Sequence, residues 1–475
     1  MFSSDVLPPR RPSAPLAELG DLQGLLRQGY PFFDGAAYCL FRIDDAPNVR
    51  RWLATLLHPD PGERWIDSAL QFSKRLKYED SGVAIAFTPS GLKALGLSDD
   101  ALGSFVPEFR EGMAAEHRAR LLGDVGPSCP MRWEWGNAPG IDGVLIVYAR
   151  PEDLDERVET ISRIPGGPNF VRVLRTRLYT EQGTGVPREP FGFADGFSQP
   201  YIEGVTLKDP PEGIRTIRTG EFVLGYPNEI DRLPASPSIA LAEDPQHVLP
   251  RLPHVPRADF GRNGTFLVMR QLEQNVDAFE DFIGADGENL AARMVGRWRN
   301  GEPLVRAAQP RAPGETTRAD LEDGNNFGYD REDRHGFSCP LGAHIRRANP
   351  RDALAQGMRL TPAEAQRLVD QHRIVRRGRV YRDAATGAQG LIFVCLNANI
   401  ERQFEFVQSA WLMHPEFGGL SGETDPILGN APRRFTMQHP LLGECRADLP
   451  QFVTVRGGAY FFLPGLRALR YLSQL

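Results

Sequence analysis

The apolar and polar positions of this chain fall into a rhythm of strand-length runs, each followed by a helical repeat. AAYCLFRI (36–43) is an apolar, aromatic run of strand length, and APNVRRWLATLL (46–57) continues with apolar residues at helical spacing. SGVAIAFT (81–88) predicts a second strand. SGLKALG (90–96) predicts a short helix with a Ser cap and a Gly stop. DGVLIVYA (142–149) predicts a third strand and EDLDERVETISRI (152–164) a charged helix. The second half repeats the form. NGTFLVMRQLEQNVDAFEDFI (263–283) and GLIFVCLNANIERQFEFVQSAWL (390–412) each run from an apolar strand into a helix. FVTVRGGAYFFLPGLRALRYL (452–472) predicts two short strands around Gly457-Gly458 and then a helix from Pro464.

Between the halves lies a Pro- and Gly-rich stretch, 181–260, too long for an idle connection. Loops of that length usually carry function. The organisation read from the pattern is a loosely packed N-terminal arm (1–30), a first α+β unit (31–180), the connecting segment (181–260) and a second α+β unit (261–475). Alternating strands and helices with long connections predict an α+β sheet with helices on one face.

A chain of 475 residues suggests more than one packed unit. Its net charge of −6 argues against nucleic acid or an anionic membrane as the main partner, because phosphate surfaces are met by clustered positive charge. Only Lys74, Lys77, Lys93 and Lys208 are lysines, so arginine abundance alone marks no arginine as functional. Five widely spaced cysteines form no CxxC and no CxxCH. That excludes a zinc ribbon, a redox dithiol and thioether-bound haem, and it fits a reducing compartment. No apolar run is long enough to span a membrane, and no apolar core follows Arg10-Arg11, so a cytoplasmic protein is expected.

Three segments carry candidate chemistry. In FGFADGFSQP (191–200) two glycines flank Asp195 among phenylalanines, which allows a tight turn in apolar surroundings. A plain Asp-Gly turn is the alternative. In GFSCPLGAHIRRANPRD (336–352), His344 is one of nine histidines, and neutral imidazole is a strong iron ligand. Arg346, Arg347 and Arg351 lie beside it, with forks that match haem carboxylates. A loop histidine beside a solvated basic run is the alternative. In IVRRGR (374–379), Arg376 is a candidate cation, with a surface loop as the other reading. Alternation in the strand at 390–396 points Leu391 and Phe393 to one face.

The combination resembles the dye-decolorizing peroxidase family. GFADG matches its GxxDG signature, GAHIRRANPRD resembles its proximal-histidine segment, and IVRRG resembles the segment bearing its distal arginine. GEFVLGYPNE (220–229), NGTFLVMRQLEQ (263–274), GLIFVCLNANIERQFEFVQ (390–408) and FVTVRGGAYFFLP (452–464) resemble stretches of the longer, bacterial-type members, in the expected order. The resemblance implies two ferredoxin-like domains with antiparallel sheets and non-covalent haem b bound mainly in the C-terminal one. It implies His344 as the iron ligand, Asp195 as the distal acid–base group and Arg376 as the distal charge stabiliser. Leu391 and Phe393 would line the distal pocket, Arg346 and Arg347 would meet the haem carboxylates, and Glu401 would support His344, with Glu405 one helical turn on as a competitor.

The implied partners are hydrogen peroxide and small organic reductants of phenolic or dye-like character. No nucleic acid or membrane partner is expected, and the chain is read as a monomer or a homo-oligomer. The main rival function is a non-enzymatic haem-binding protein on the same scaffold, which would need His344 but not the Asp195–Arg376 pair. A haem-free hydrolase ranks lower, since no GxSxG or HExxH occurs.

Overall fold

The computed structural model describes residues 17–58, 65–70, 81–180, 185–312, 314–383, 385–430 and 433–475. In the N-terminal half, β1 (Gly35–Arg42), α1 (Ala46–Leu56), β2 (Ser81–Phe87), β3 (Gly143–Ala149), α2 (Leu154–Arg163) and β4 (Asn169–Arg177) form a ferredoxin-like unit with strand order β2-β3-β1-β4. Every pairing is antiparallel, with Gly35 opposite Ala149 and Phe41 opposite Gly143. Helix α1 shows why the pattern reads as it does. The Asp45 side chain accepts the Asn48 N–H, Pro47 sits in the first turn, and Val49, Trp52, Leu53 and Leu56 make one buried stripe.

The C-terminal half repeats the design. It contains β5 (Thr265–Gln274), α3 (Val276–Ile283), α4 (Gly287–Val295), α5 (His344–Ala348), β6 (Arg379–Arg382), β7 (Gln389–Asn397) and β8 (Val453–Leu463), ordered β8-β5-β7-β6, with α6 (Leu466–Gln474) last. The two units do not remain separate sheets. β8 meets β2 at Phe462–Phe87, and β4 meets β6 at Arg177–Val380, so the strands close into one antiparallel barrel. Closure removes the exposed edges each half would otherwise present.

Closure also explains the nearly unbroken apolar runs. On β1, Ala37, Cys39 and Phe41 face the outer core with Trp52 and Leu53, while Ala36, Tyr38 and Leu40 face the barrel interior. Both faces are buried, so polar alternation is lost. The interior is plugged from the N-terminal side. Leu22, Leu25, Leu26 and Tyr30 are fully buried there, and the Tyr30 ring stacks on Tyr148 at 4.7 Å. Residues 17–30 are therefore a core element rather than the loose arm the sequence suggested; residues 1–16 lie outside the described part.

Two local expectations change. The helix at Pro89–Ala94 is capped by Thr88, whose hydroxyl accepts the Gly91 N–H, and not by Ser90. Gly457-Gly458 does not split its strand. β8 continues through them, with its register against β5 shifting by one residue at Arg456, and a Cβ on Gly457 would stand 2.3 Å from the Trp135 indole. These glycines admit neighbouring side chains rather than a turn.

Candidate functional site

Strand alternation directs two sets of side chains outward from the C-terminal half. On β7, Ile392, Val394 and Leu396 enter the barrel, while Leu391 and Phe393 face the other way. On β5, Arg270, Leu272 and Gln274 do the same. These residues form one wall of a cavity of about 320 Å³, within the range of small-molecule sites. The opposite walls come from the 189–198 loop, α5 and the segment 372–376.

Asp195, His344, Arg376, Leu391 and Phe393 all line this one cavity. Gly192 (φ 90°) and Gly196 (φ 84°) take the backbone angles that let the 191–197 loop turn tightly about Asp195. The Asp195 N–H donates to the Pro187 carbonyl at 2.9 Å, and the Ala194 N–H donates to the Arg299 carbonyl at 2.9 Å. Arg376 lies on a two-residue strand, Val375–Arg376, paired to β7, and its N–H donates to Gln199 Oε1 at 3.0 Å. Thus held, the Arg376 guanidinium forms an ion pair with Asp195, Nη1 to Oδ1, at 3.1 Å.

His344 opens α5. Its Nδ1 bonds Asp425 Oδ2 at 2.9 Å, which leaves Nε2 for the cavity. Asp425 is buried, and its Oδ1 accepts the N–H groups of Ile427 and Leu428. Burial alone would depress the imidazole pKa, but the adjacent carboxylate outweighs it and the net shift is upward. Asp425, not Glu401, is thus the carboxylate behind His344. Glu401 is exposed, and Glu405 receives Arg118 Nη1 on both its oxygens and the Tyr460 hydroxyl at 2.8 Å. The sequence signal for Asp425 was slight: an Asp before Pro426 that caps the following N–H groups.

Arg346 and Arg347 also correct an expectation, since neither lines the cavity. Arg346 is buried against the Asp333 and Cys339 carbonyls and lies over the Tyr329 ring. Arg347 donates to the carbonyls of Trp411, His414 and Glu423. Both serve to tie chain segments together. The cavity cations are instead Arg297, Arg351 and Arg373, with Arg376 paired to Asp195 and Arg270 paired to Asp124. Burial, helped by neighbouring arginines, pushes Arg297 and Arg373 down to about 10. Among the described residues Arg297 and Arg351 hydrogen-bond only neutral groups, chiefly Asn325, and Arg351 Nε is buried without a partner. The Asp370 carboxylate acts on Arg373, and those of Asp352 and Asp370 on Arg351, but burial outweighs them, so this wall suits an anionic ligand.

Of the histidines nearest His344 in sequence, His335 does not line the cavity. His372 does, but it stacks on Phe406 at 4.1 Å and bonds the Arg402 carbonyl through Nδ1. An imidazole with a carboxylate partner, apolar walls and arginines lining one cavity fits haem: His344 for the iron, Arg351 and Arg373 for the acid groups.

Residues 34–175 match the "DyP dimeric alpha+beta barrel domain" and residues 257–428 the "Dyp-type peroxidase, C-terminal" domain. A multifunctional dye peroxidase of Amycolatopsis is 32% identical over 82% of this chain and 82% of its own. A fungal DyP-type peroxidase structure from Auricularia auricula-judae superposes with a TM-score of 0.77 at 26% identity, covering 97% of this chain and 100% of that one. A dye-decolorizing peroxidase solved with 2,6-dimethoxyphenol gives 0.76 at 26% identity, covering 96% and 100%. The chain is therefore a haem-dependent peroxidase and belongs to the dye-decolorizing peroxidase family.

Proposed function

We propose that the protein reduces hydrogen peroxide at non-covalent haem b held by His344, using Asp195 and Arg376 as its distal pair, with one-electron oxidation of phenolic or dye-like donors. The observation that carries this reading is the 3.1 Å Asp195–Arg376 ion pair in the wall of the cavity that His344 also lines. Haem, when bound, supplies the redox chemistry at iron. The protein's own part is proton movement and charge. With Oδ1 turned to Arg376, Asp195 Oδ2 takes the proton from the near oxygen of peroxide and returns it to the departing one. The Arg376 guanidinium stabilises the negative charge that gathers on that departing oxygen. Leu391 and Phe393, in the wall of the same cavity, limit what enters.

The donor class rests on the relatives, which are named for dyes or solved with a methoxyphenol. Non-covalent attachment fits a chain without CxxCH, and cytoplasmic residence fits its free cysteines, of which Cys39, Cys339 and Cys395 are buried. Among the described residues no helix is long and apolar enough to cross a membrane.

The test is an absorption spectrum of haem-replete protein before and after one equivalent of peroxide, for the parent, Asp195→Asn and Arg376→Leu. Each variant is expected to keep its haem and to react about 10²-fold more slowly or worse, the scale of losing one preorganised charge stabiliser. Variants that react at the parental rate would refute these roles.

A further inference from the structure

Glu189 stands six residues before Asp195, lines the same cavity and has no part in the steps above. Its Oε1 accepts the Phe193 N–H at 2.8 Å. Its Oε2 accepts the Phe191 N–H at 3.0 Å and Gln274 Nε2, from β5, at 2.6 Å. Its own N–H donates to the Phe193 carbonyl, and its carbonyl accepts the Gly192 N–H. The whole 189–193 turn is thus folded onto one carboxyl group, and one further bond ties that group to the barrel wall.

We propose that Glu189 is the positioning residue of the distal loop: by clamping Phe191 and Phe193 and anchoring them to Gln274, it sets where Asp195 stands over the cavity. This rests on the reading of Asp195 as the proton carrier. The clamp has two states. Among the described residues, Gln274 Oε1 is buried and accepts no hydrogen bond while its amide nitrogen serves the Glu189 carboxylate. A protonated Glu189 has an O–H to give, and a half-turn of the Gln274 amide brings Oε1 round to accept it. Burial pushes the Glu189 carboxyl up to about 7 against the pull of its three N–H donors, and the Asp195 carboxylate adds to the rise.

The surrounding charges are few. Arg188 is spent on the Gly192 and Arg299 carbonyls. Arg299 pairs with Glu280 on α3 and Glu288 on α4, over the Phe193 ring. The cavity face of β5 presents neutral Gln274 and Arg270, which is paired with buried Asp124, and Arg376 is paired with Asp195. Above pH 7, Glu189 places a second negative charge beside the pair that must stabilise a departing anion, so peroxide cleavage slows there.

The experiment is stopped-flow reaction of the haem-loaded enzyme with peroxide from pH 5 to 9, for the parent, Glu189→Gln, Glu189→Ala and Asp195→Asn. The parent rate should fall through an inflection near 7. Glu189→Gln, permanently neutral but with a single acceptor oxygen for the Phe191 and Phe193 N–H groups, should lose the inflection. Glu189→Ala should be at least tenfold slower at every pH with its haem spectrum retained. A parental inflection in Glu189→Gln, or a parental rate in Glu189→Ala, overturns the inference. If Asp195→Asn is slow while both Glu189 variants behave as the parent, only the role of Glu189 fails. A parental Asp195→Asn overturns the site reading itself.

Discussion

His344 and Asp425, 81 residues apart in sequence, meet through a 2.9 Å bond between Nδ1 and Oδ2 in a pocket that admits no solvent to the carboxylate. Burial alone would raise the Asp425 pKa, yet the imidazole beside it and the Leu428 N–H hold it below the ordinary range. The bond fixes both the tautomer and the tilt of the ring. Such partners of a metal-binding histidine typically govern 10–100-fold in affinity or activity. Asp425→Asn, which keeps the shape and removes the charge, is expected to weaken haem retention or peroxide reactivity by a factor in that range. Haem titration of the purified variant, followed by its peroxide kinetics, checks this; parental values in both would discount the pair.

The basic run after His344 separates two kinds of arginine, and substitution should tell them apart. Arg351 faces the cavity with neutral partners, whereas Arg347 is buried among three carbonyls. Arg351→Leu is expected to loosen haem by about 10–100-fold, the worth of one charge-assisted bond of about 1.5–3 kcal/mol, and also to cost some stability through the Asn325 and Phe327 carbonyls it leaves. Arg347→Leu leaves buried carbonyls unpaired at about 1–3 kcal/mol each and should lower the melting temperature before haem is added. Thermal melts and haem titrations of the two variants distinguish these outcomes. An Arg347→Leu variant as stable as its parent contradicts the structural role.

How far the sequence could be read followed from how local each feature was. α1 and the strand runs of β1, β2 and β3 carry their own periodicity, so their bounds were legible within a residue or two. The joining of two units into one barrel was not, because it rests on single register points, Phe462–Phe87 and Arg177–Val380. Asp195, His344 and Arg376 sit in short motifs that resemble a family, and the fold brings them to one cavity. Asp425 and Glu189 were missed for a shared reason. Each acts through a contact made only on folding, to an imidazole far along the chain or to an amide on a distant strand. Arg346 and Arg347 misled because spacing on a five-residue helix does not say which side chains turn to the cavity and which turn to carbonyls.

The plug of the barrel offers a separate stability test. A Cβ on Gly82 would stand 2.1 Å from the Tyr30 ring, which is itself stacked on Tyr148 and cannot retreat into the filled interior. Gly82→Ala is therefore expected to lower stability by about 1–3 kcal/mol through overpacking. Gly103→Ala, where a Cβ meets nothing within 4 Å, is the control and should be close to neutral. Equal denaturation midpoints for the two variants would show that Tyr30 is not locked in place.

Glu221 makes stability depend on pH in a stated window. Its side chain is fully buried and paired with Arg402, and its Oε1 accepts the Glu229 N–H at 3.0 Å. Burial outweighs these partners and raises the carboxyl from 4.5 to about 7, with Glu229 and Asp370 adding to the rise. The folded chain therefore holds this proton to higher pH than the unfolded chain. The stability tied to it is fully present below about 4.5 and is lost as pH rises through about 7, because ionising the group in place works against folding. Each tenfold difference in proton affinity between the folded and unfolded chains is worth about 1.4 kcal/mol, so the loss is at most about 3–4 kcal/mol. Glu221→Gln has no such proton. Denaturant unfolding of both proteins from pH 5 to 8 should show the parent losing ground to Glu221→Gln across that interval, and a gap that stays constant with pH would mean that Glu221 is ionised throughout.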